Sequence, residues 1–314
     1  LKVQDDSFKY TESAGAIGWC MFDYNTHKDF GSGDKICYHG VMDIFRIKKY
    51  AADVYASFGK EPVLTVCSSL NQGEYPASEV PQPIVLTNCD SVKFYKNNVF
   101  VGEFYPSRNE YKYLPHPPVI IDDFIGNLLE KNEKFSKRDA KRVKDGLNAV
   151  VQYGQPNLPL KHKLATAFVM MKYKLSFEDL YHLFGKYVGN WGKASVSFRF
   201  EGIMNGEVVK TVSRSPLYKP SLAVEIDSTE LFIEETYDTT RVILKCIDED
   251  SNTCDYSFDN ISLSIEGAEI IGPKEISFIG GSVGFWIKTT KPGKALLKVN
   301  AYHLGSKEIE LNIK

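Results

Sequence analysis

Residues with the widest chemical range crowd into one short stretch, GWCMFDYNTHKDFGSGDKICYHG, which carries Asp23, Asn25, His27, Asp29, Asp34 and His39. Aromatic side chains are interleaved with them: Trp19, Phe22, Tyr24, Phe30 and Tyr38. Flat rings beside hydrogen-bonding groups suit sugars, whose ring faces carry C–H groups and whose edges carry hydroxyls. Asp23, His27, Asp29 and His39 include metal-ligand types, but their spacing fits no metal cage, so neither a metal nor a cofactor is expected. Glycosidic cleavage usually uses two carboxylates flanking the bond. Asp23, Asp29 and Asp34 are available, yet none has the setting of a nucleophile. Asp23 follows an apolar run so closely that burial and structural hydrogen bonding are expected for it. The bland alternative stays open: Trp19 and Phe22 as core, His27 and His39 as structural loop residues. Taken together, a ligand-facing loop is the better reading.

The elements that would hold this loop are legible in outline. Ala16 to Tyr24 is apolar at nearly every position, the pattern of a strand buried on both faces in a parallel sheet or barrel. A polar loop from Asn25 to Lys35 follows. Then VMDIFRIKKYAADVYASFG ends as an amphipathic helix with Tyr50, Ala51, Val54 and Phe58 on one face. One strand, one loop and one helix make a βα unit that cannot bury its own faces and needs neighbours. Loops at the C-terminal ends of parallel strands are where α/β barrels place function.

Residues 61–120 read as β-structure. SVKFYKNNVFVGEFY places Asn97-Asn98 between two β-rich arms, a hairpin whose turn residues tolerate positive φ. The period then switches over about 121–192. Ser136 and Asp139 form a capping-box-like start for a helix carrying Ala140, Val143, Leu147, Val150 and Val151, closed by Gly154 and Pro156. Leu160, Leu164, Phe168 and Met171 make a second stripe. Ser176 and Asp179 open a third helix with Leu180, Phe184 and Val188, and the three should pack as a small bundle. FRFEGIMNGEVV carries Asn205-Gly206, a strong hairpin signal. Residues 221–314 are β throughout, in short strands with regular turns, as in an immunoglobulin-like sandwich. Strands before and after the helices could share one sandwich with the helices inserted, or the helices could form an independent domain. Residues 61–120 alone are few for a stable sandwich, which favours the insertion.

Several functional classes are excluded or weak. The 314 residues carry a net charge of -2, without the basic excess of a nucleic-acid surface. No apolar run approaches the roughly 20 residues of a membrane helix. The basic stretch 137–144 reads as a solvated helix face before an anion site. Trp191 and Trp286 could stack on carbohydrate, but packing is the simpler role. Gly31-Ser-Gly33 is too short for a phosphate loop. None of the cysteines at 20, 37, 67, 89, 246 and 254 forms a C-x-x-C pair. Buried free thiols are expected, with a Cys246–Cys254 hairpin bridge as the minor alternative, which weakly favours a bacterial cytoplasmic location. The chain opens on Leu1 and shows no signal-peptide pattern, so a piece of a longer polypeptide is expected.

The stretch GWCMFDYNTHKDFGSGDKICYHGVMDIF resembles the last barrel strand and following loop of glycoside hydrolase family 2, the β-galactosidase and β-glucuronidase group. Gly18 to Tyr24 look like the strand, and Cys37-Tyr38-His39-Gly40 like the later return toward the active site. NCDSVKFYKNNVFVGEFY and FRFEGIMNGEVV resemble the Ig-like domain that follows the barrel, and 221–314 an added invasin-like Ig module. The resemblance implies a mainly β chain with an α-helical insertion: two immunoglobulin-like β-sandwich domains preceded by the last βα piece of a TIM barrel. Its divisions are 1–60 for the incomplete (β/α)8 barrel, 61–220 for the sandwich with the insertion at about 121–192, and 221–314 for the C-terminal sandwich. It implies a retaining β-glycosidase, β-galactosidase before β-glucuronidase, whose two catalytic glutamates would precede Leu1. No catalytic residue is therefore carried over, and the chain alone is expected to be inactive. Phe22 falls where the family usually has a tryptophan platform under the sugar, a departure from the pattern. Asp23 is the next, polar position, and His39 matches a polar group near substrate. His27 and Asp29 lie in the connecting loop. The implied partner is a β-galactoside carbohydrate, with no nucleic acid or membrane, and a homo-oligomer is left open. The rival class is a non-catalytic Ig-like carbohydrate- or protein-binding module.

Overall fold

The computed structural model describes residues 1–27, 33, 35–68, 70, 82–189, 196–215 and 219–314. They divide into two compact units, Leu1–Pro216 and Leu217–Lys314.

The first unit opens with helix α1 (Lys2–Lys9), which the sequence did not announce. Its Asp5 is 2% exposed and accepts from the backbone N–H of Tyr113 at 2.7 Å and of Leu114 at 3.1 Å. Two short strands follow, β1 (Tyr24–Asn25) and β2 (Ile36–Cys37), paired antiparallel. The expectation of a strand buried on both faces over Ala16–Tyr24 is not met. Ile17 is 98% exposed, Trp19 73% and Met21 60%. The apolar pattern is present, but among the described residues no neighbouring strand covers it. Helix α2 (Tyr50–Ala56) forms as expected, with one correction. It buries Ala52 and Val54, while Tyr50 and Ala51 face outward; past its end Phe58 packs on Phe8 of α1, ring centroids 5.5 Å apart.

Strands β3 (Leu64–Val66), β4 (Ile84–Thr87), β5 (Ser91–Lys96), β6 (Val99–Phe104) and β7 (Val119–Ile120) come next. Helices α3 (Leu128–Asn132), α4 (Lys137–Tyr153), α5 (Leu160–Tyr173) and α6 (Phe177–Tyr187) follow, then strands β8 (Phe198–Met204) and β9 (Glu207–Arg214). The strands form two antiparallel sheets, β3-β4-β7 and β6-β5-β8-β9. Strands from both sides of the helices thus share one sheet, β5 pairing β8. The hairpin turns are those the residues demand: Asn97 and Asn98 have φ of 48° and 61°, Asn205 and Gly206 52° and 83°.

Phe94 sits at the centre of this unit, fully buried, with Phe200, Phe198, Phe124 and Phe104 at ring distances of 5.1, 5.7, 5.9 and 6.3 Å. Ala140, Val143 and Leu147 of α4 join the same core, so the stripe read from sequence is the buried face. Ser136 caps α4, and Ser176 with Asp179 forms a full capping box on α6. The α5 stripe is a second correction. Leu160, Leu164 and Met171 are 69%, 62% and 75% exposed, Phe168 is also exposed, and Val169 is the residue buried. The cause is a close approach at Gly146 of α4, where a Cβ would stand 2.6 Å from Thr166 Oγ1. That turns the Thr166–Val169 face inward. Lys96 is buried and donates to the carbonyls of Tyr187 and Val188 at 2.5 and 2.7 Å, tying β5 to the C-terminal end of α6. Burial lowers its pKa to about 7.

The cations of 137–144 are mostly paired with acids, Lys144 to Asp123 at 2.7 Å and Lys141 to Asp145 at 2.9 Å, as a solvated face would be. Asp139 is different. It is 1% exposed and accepts from Lys172 at 2.6 Å, Ser136 Oγ at 2.7 Å, Tyr173 OH at 3.0 Å and Arg142 at 2.8 Å. These bonds, Lys172's first, hold its carboxyl well below the unfolded value of 3.8. A depressed carboxylate contributes stability that is complete above the unfolded pKa and is lost as pH falls through the folded one. We predict that Asp139→Asn lowers the melting temperature at pH 7 by several degrees, and that its melting temperature depends less on pH below about 4 than the wild type's. Thermal melts of both proteins across that range read the difference.

The second unit is a sandwich of two sheets. Its strands are β10 (Ser221–Ile226), β11 (Glu230–Leu231), β12 (Thr239–Ile247), β13 (Asn260–Glu266), β14 (Ala268–Ile271), β15 (Glu275–Ser277), β16 (Ser282–Thr289), β17 (Gly293–Ala301) and β18 (Gly305–Ile313). The sheets run β10-β12-β16-β14 and β11-β18-β17-β13-β15, antiparallel apart from the β11–β18 pair. Alternate residues Val242, Leu244, Phe285 and Ile287 face Leu297, Val299 and Leu311 in the core, the arrangement of an immunoglobulin-like sandwich. Trp286 is half-buried in β16. All six cysteines are free, Cys246 and Cys254 included.

Candidate functional site

The opening segment is organised around Asp23. Its side chain is 2% exposed, and Oδ1 accepts from Lys49 Nζ at 2.7 Å and from the Gly40 N–H at 2.8 Å. Lys49 also donates to the Tyr38 carbonyl at 3.3 Å. Backbone bonds complete the clamp: Asp23 N–H to Met42 O at 2.9 Å, Met42 N–H to Met21 O at 3.0 Å and Val41 N–H to Cys20 O at 3.0 Å. A Cβ at Gly40 would overlap Asp23 N, Phe22 C and Met42 O, so only glycine lets the two chain segments meet here. Asp43 closes the next turn by accepting from Phe45 and Ile47 N–H, both at 2.8 Å, and burial pushes its carboxyl up.

The clamp presents side chains to solvent. Trp19 is the largest, donating from Nε1 to Tyr24 OH at 3.1 Å with the two rings at 83°. Its indole is therefore fixed by a hydrogen bond, not by packing, and the core alternative fails for it. Phe22 is half-buried, and the Arg46 guanidinium lies 3.7 Å from its ring centroid. His27 and His39 are exposed on the same segment. Asp29, Asp34, Phe30 and Trp191 lie outside the described residues. Sequence reading missed Lys49 and Arg46. Lys49 could have been suspected from its place beside α2, whereas Arg46 gave no signal.

Chemically the described residues of the segment offer aromatic and imidazole surface. Of its carboxylates, Asp23 is neutralised by Lys49 and Asp43 is held by backbone N–H groups. Among the described residues, no group of three or more His, Cys, Asp and Glu could hold a metal ion. Among them, too, no helix is long and apolar enough to cross a membrane.

A glycosyl hydrolase family 2 member from Bacteroides cellulosilyticus has the same fold over 94% of this chain and 35% of its own, with a TM-score of 0.57 at 11% identity. A β-galactosidase of Thermoanaerobacterium thermosulfurigenes is 31% identical over 290 residues, 90% of this chain and 32% of that protein. A β-galactosidase sequence from Rhizobium radiobacter is 32% identical over 129 residues, 40% of this chain and 92% of that sequence. This chain belongs to glycoside hydrolase family 2. No family model matches the sequence. The chain spans about a third of the length of the Thermoanaerobacterium relative, 32%.

Proposed function

We propose that this chain is the C-terminal portion of a retaining β-glycosidase, a β-galactosidase, that supplies part of the active-site wall and two accessory sandwiches. In this reading residues 1–60 are the last strand, loop and helix of a (β/α)8 barrel, 61–220 an Ig-like sandwich with the helices inserted at about 121–192, and 221–314 the C-terminal sandwich. The observation that carries it is the uncovered apolar run: Ile17, Trp19 and Met21 alternate with smaller residues and are 60% exposed or more. Adjacent barrel strands would cover Ile17 and Met21 and leave Trp19 facing the sugar. The two reacting glutamates belong to strands outside this chain in this reading.

Phe22, His27, Asp29 and His39 face the sugar in this account, and Trp19 joins them as the exposed flat ring. Asp23 contributes by holding Gly40 and Lys49 in place. The substrate is a terminal β-galactoside. Free thiols throughout fit a reducing bacterial cytoplasm.

The test is Trp19→Ala in the longer polypeptide that carries the barrel. Loss of a positioning platform is expected to lower kcat/KM on nitrophenyl β-galactoside by about a hundredfold, with the melting temperature unchanged. An unaltered kcat/KM would remove Trp19, and with it the wall, from the active site.

A further inference from the structure

The C-terminal unit holds a second constellation suited to a ligand, remote in sequence from the opening segment. A cavity of about 580 Å³ is lined by Cys246, Tyr256, Phe258, Asp259, Tyr302 and His303 among others. Its volume is in the range of small-ligand sites, roughly 300–1,000 Å³. Two aromatic side chains stand at it almost uncovered, Phe258 at 71% exposed and Tyr302 at 77%. Leaving two large rings in water is unfavourable for an isolated sandwich. Beside them, His303 is fixed: its backbone N–H donates to Asp259 Oδ2 at 2.8 Å, and its Nδ1 lies 2.6 Å from Asp259 Oδ1. The Asp259 side chain is 8% exposed and that of His303 73%, so the carboxylate orients the imidazole and leaves Nε2 toward solvent. The Tyr302 and His303 rings meet at 85° with centroids 4.5 Å apart, which sets the tyrosine face.

The charge pattern selects the ligand. Among the described residues the cavity lining includes no Lys or Arg, and Asp259, the one carboxylate there, is already bonded to His303. A phosphate or uronate would find no cation, and a metal or amine no free anion. A purely apolar ligand would cover the His303 imidazole, whose side chain is 73% exposed, and offer its outer edge no polar group. A neutral molecule with C–H faces and hydroxyl edges fits both halves. We infer that this cavity binds a neutral pyranose unit, with Tyr302 and Phe258 against the ring face and His303 Nε2 and Asn260 at the hydroxyls.

The inference concerns binding by the second unit and does not need the chain to be part of a hydrolase. Calorimetric titration of the whole chain with β-1,4-galactotetraose, cellotetraose, maltotetraose, mannotetraose and glucuronic acid tests it. Saturable binding of at least one neutral tetrasaccharide is expected, weakened about tenfold or more by Tyr302→Ala and by Phe258→Ala, with melting temperatures unchanged because both rings are exposed. Glucuronic acid should bind no more tightly than the neutral sugars. No saturable binding of any neutral tetrasaccharide overturns the inference, as does binding that survives both substitutions. Binding that is lost with Trp19→Ala and kept with Tyr302→Ala also overturns it, while supporting the sugar surface of the opening segment. Self-association that disappears in Tyr302→Ala without sugar binding would make the cavity a contact between copies and overturn it as well.

Discussion

Phe94→Ala is expected to destabilise the first unit by about 3–5 kcal/mol, the range for removing a fully buried phenylalanine from a core that cannot collapse around the gap. The gap would stay open because its neighbours come from different elements. Phe200 and Phe198 sit on β8, Phe104 on β6, and Phe124 in the segment leading into the helices. No single movement closes a cavity with walls anchored in three places. At roughly 2–4 °C per kcal/mol for a unit of this size, the melting transition should fall by about 6–20 °C. The transition of the second unit should not move, since Phe94 lies in Leu1–Pro216. Differential scanning calorimetry separates the two. A loss below about 1 kcal/mol would contradict the packing described.

Asp23→Ala should have the next largest effect, and a more local one. The substitution strips Lys49 of its buried partner and the Gly40 N–H of its acceptor in one step. Removing one member of a buried pair costs about 3–5 kcal/mol. Lys49 is 35% exposed and keeps the Tyr38 carbonyl, so about 2–3 kcal/mol is the better expectation after allowing for solvent. The predicted result is faster proteolysis between the end of α1 and the start of α2 and a change in Trp19 fluorescence, with β5, β8 and the helices unaffected. Asp23→Asn retains an acceptor for Gly40 but no charge for Lys49, and should fall between the two. Cleavage at the wild-type rate would show that the clamp does not hold the loop.

Local chemistry was the legible part of this fold. Ser136 and Ser176 announced two helices, and Asn97-Asn98 and Asn205-Gly206 announced two hairpins. In each case the deciding interaction spans a few residues and is written in side-chain type. The failures share the opposite property. Helix α1 is held by Asp5 bonding 108 residues away to Tyr113, which no local pattern reports. The α5 stripe faces outward because of a glycine on a different helix. Ala16–Tyr24 has the composition of a buried strand, but burial depends on neighbours that these residues do not encode. The candidate site divides in the same way. The crowding of aromatic and polar side chains around Asp23 could be read directly, and Asp23 is buried and hydrogen-bonded as its place after an apolar run suggested. Trp19 as the exposed ring needed the hydrogen bond to Tyr24, and Arg46 over Phe22 needed coordinates.

The proposed function comes down to one statement, that this chain shapes a galactoside site without cleaving at it. The most direct measurement is release of nitrophenol from nitrophenyl β-galactoside by this chain alone and by a longer polypeptide that carries the proposed barrel. The account predicts turnover by the longer polypeptide and a rate indistinguishable from buffer for the chain. Turnover by the chain alone, retained after purification to homogeneity, would contradict it.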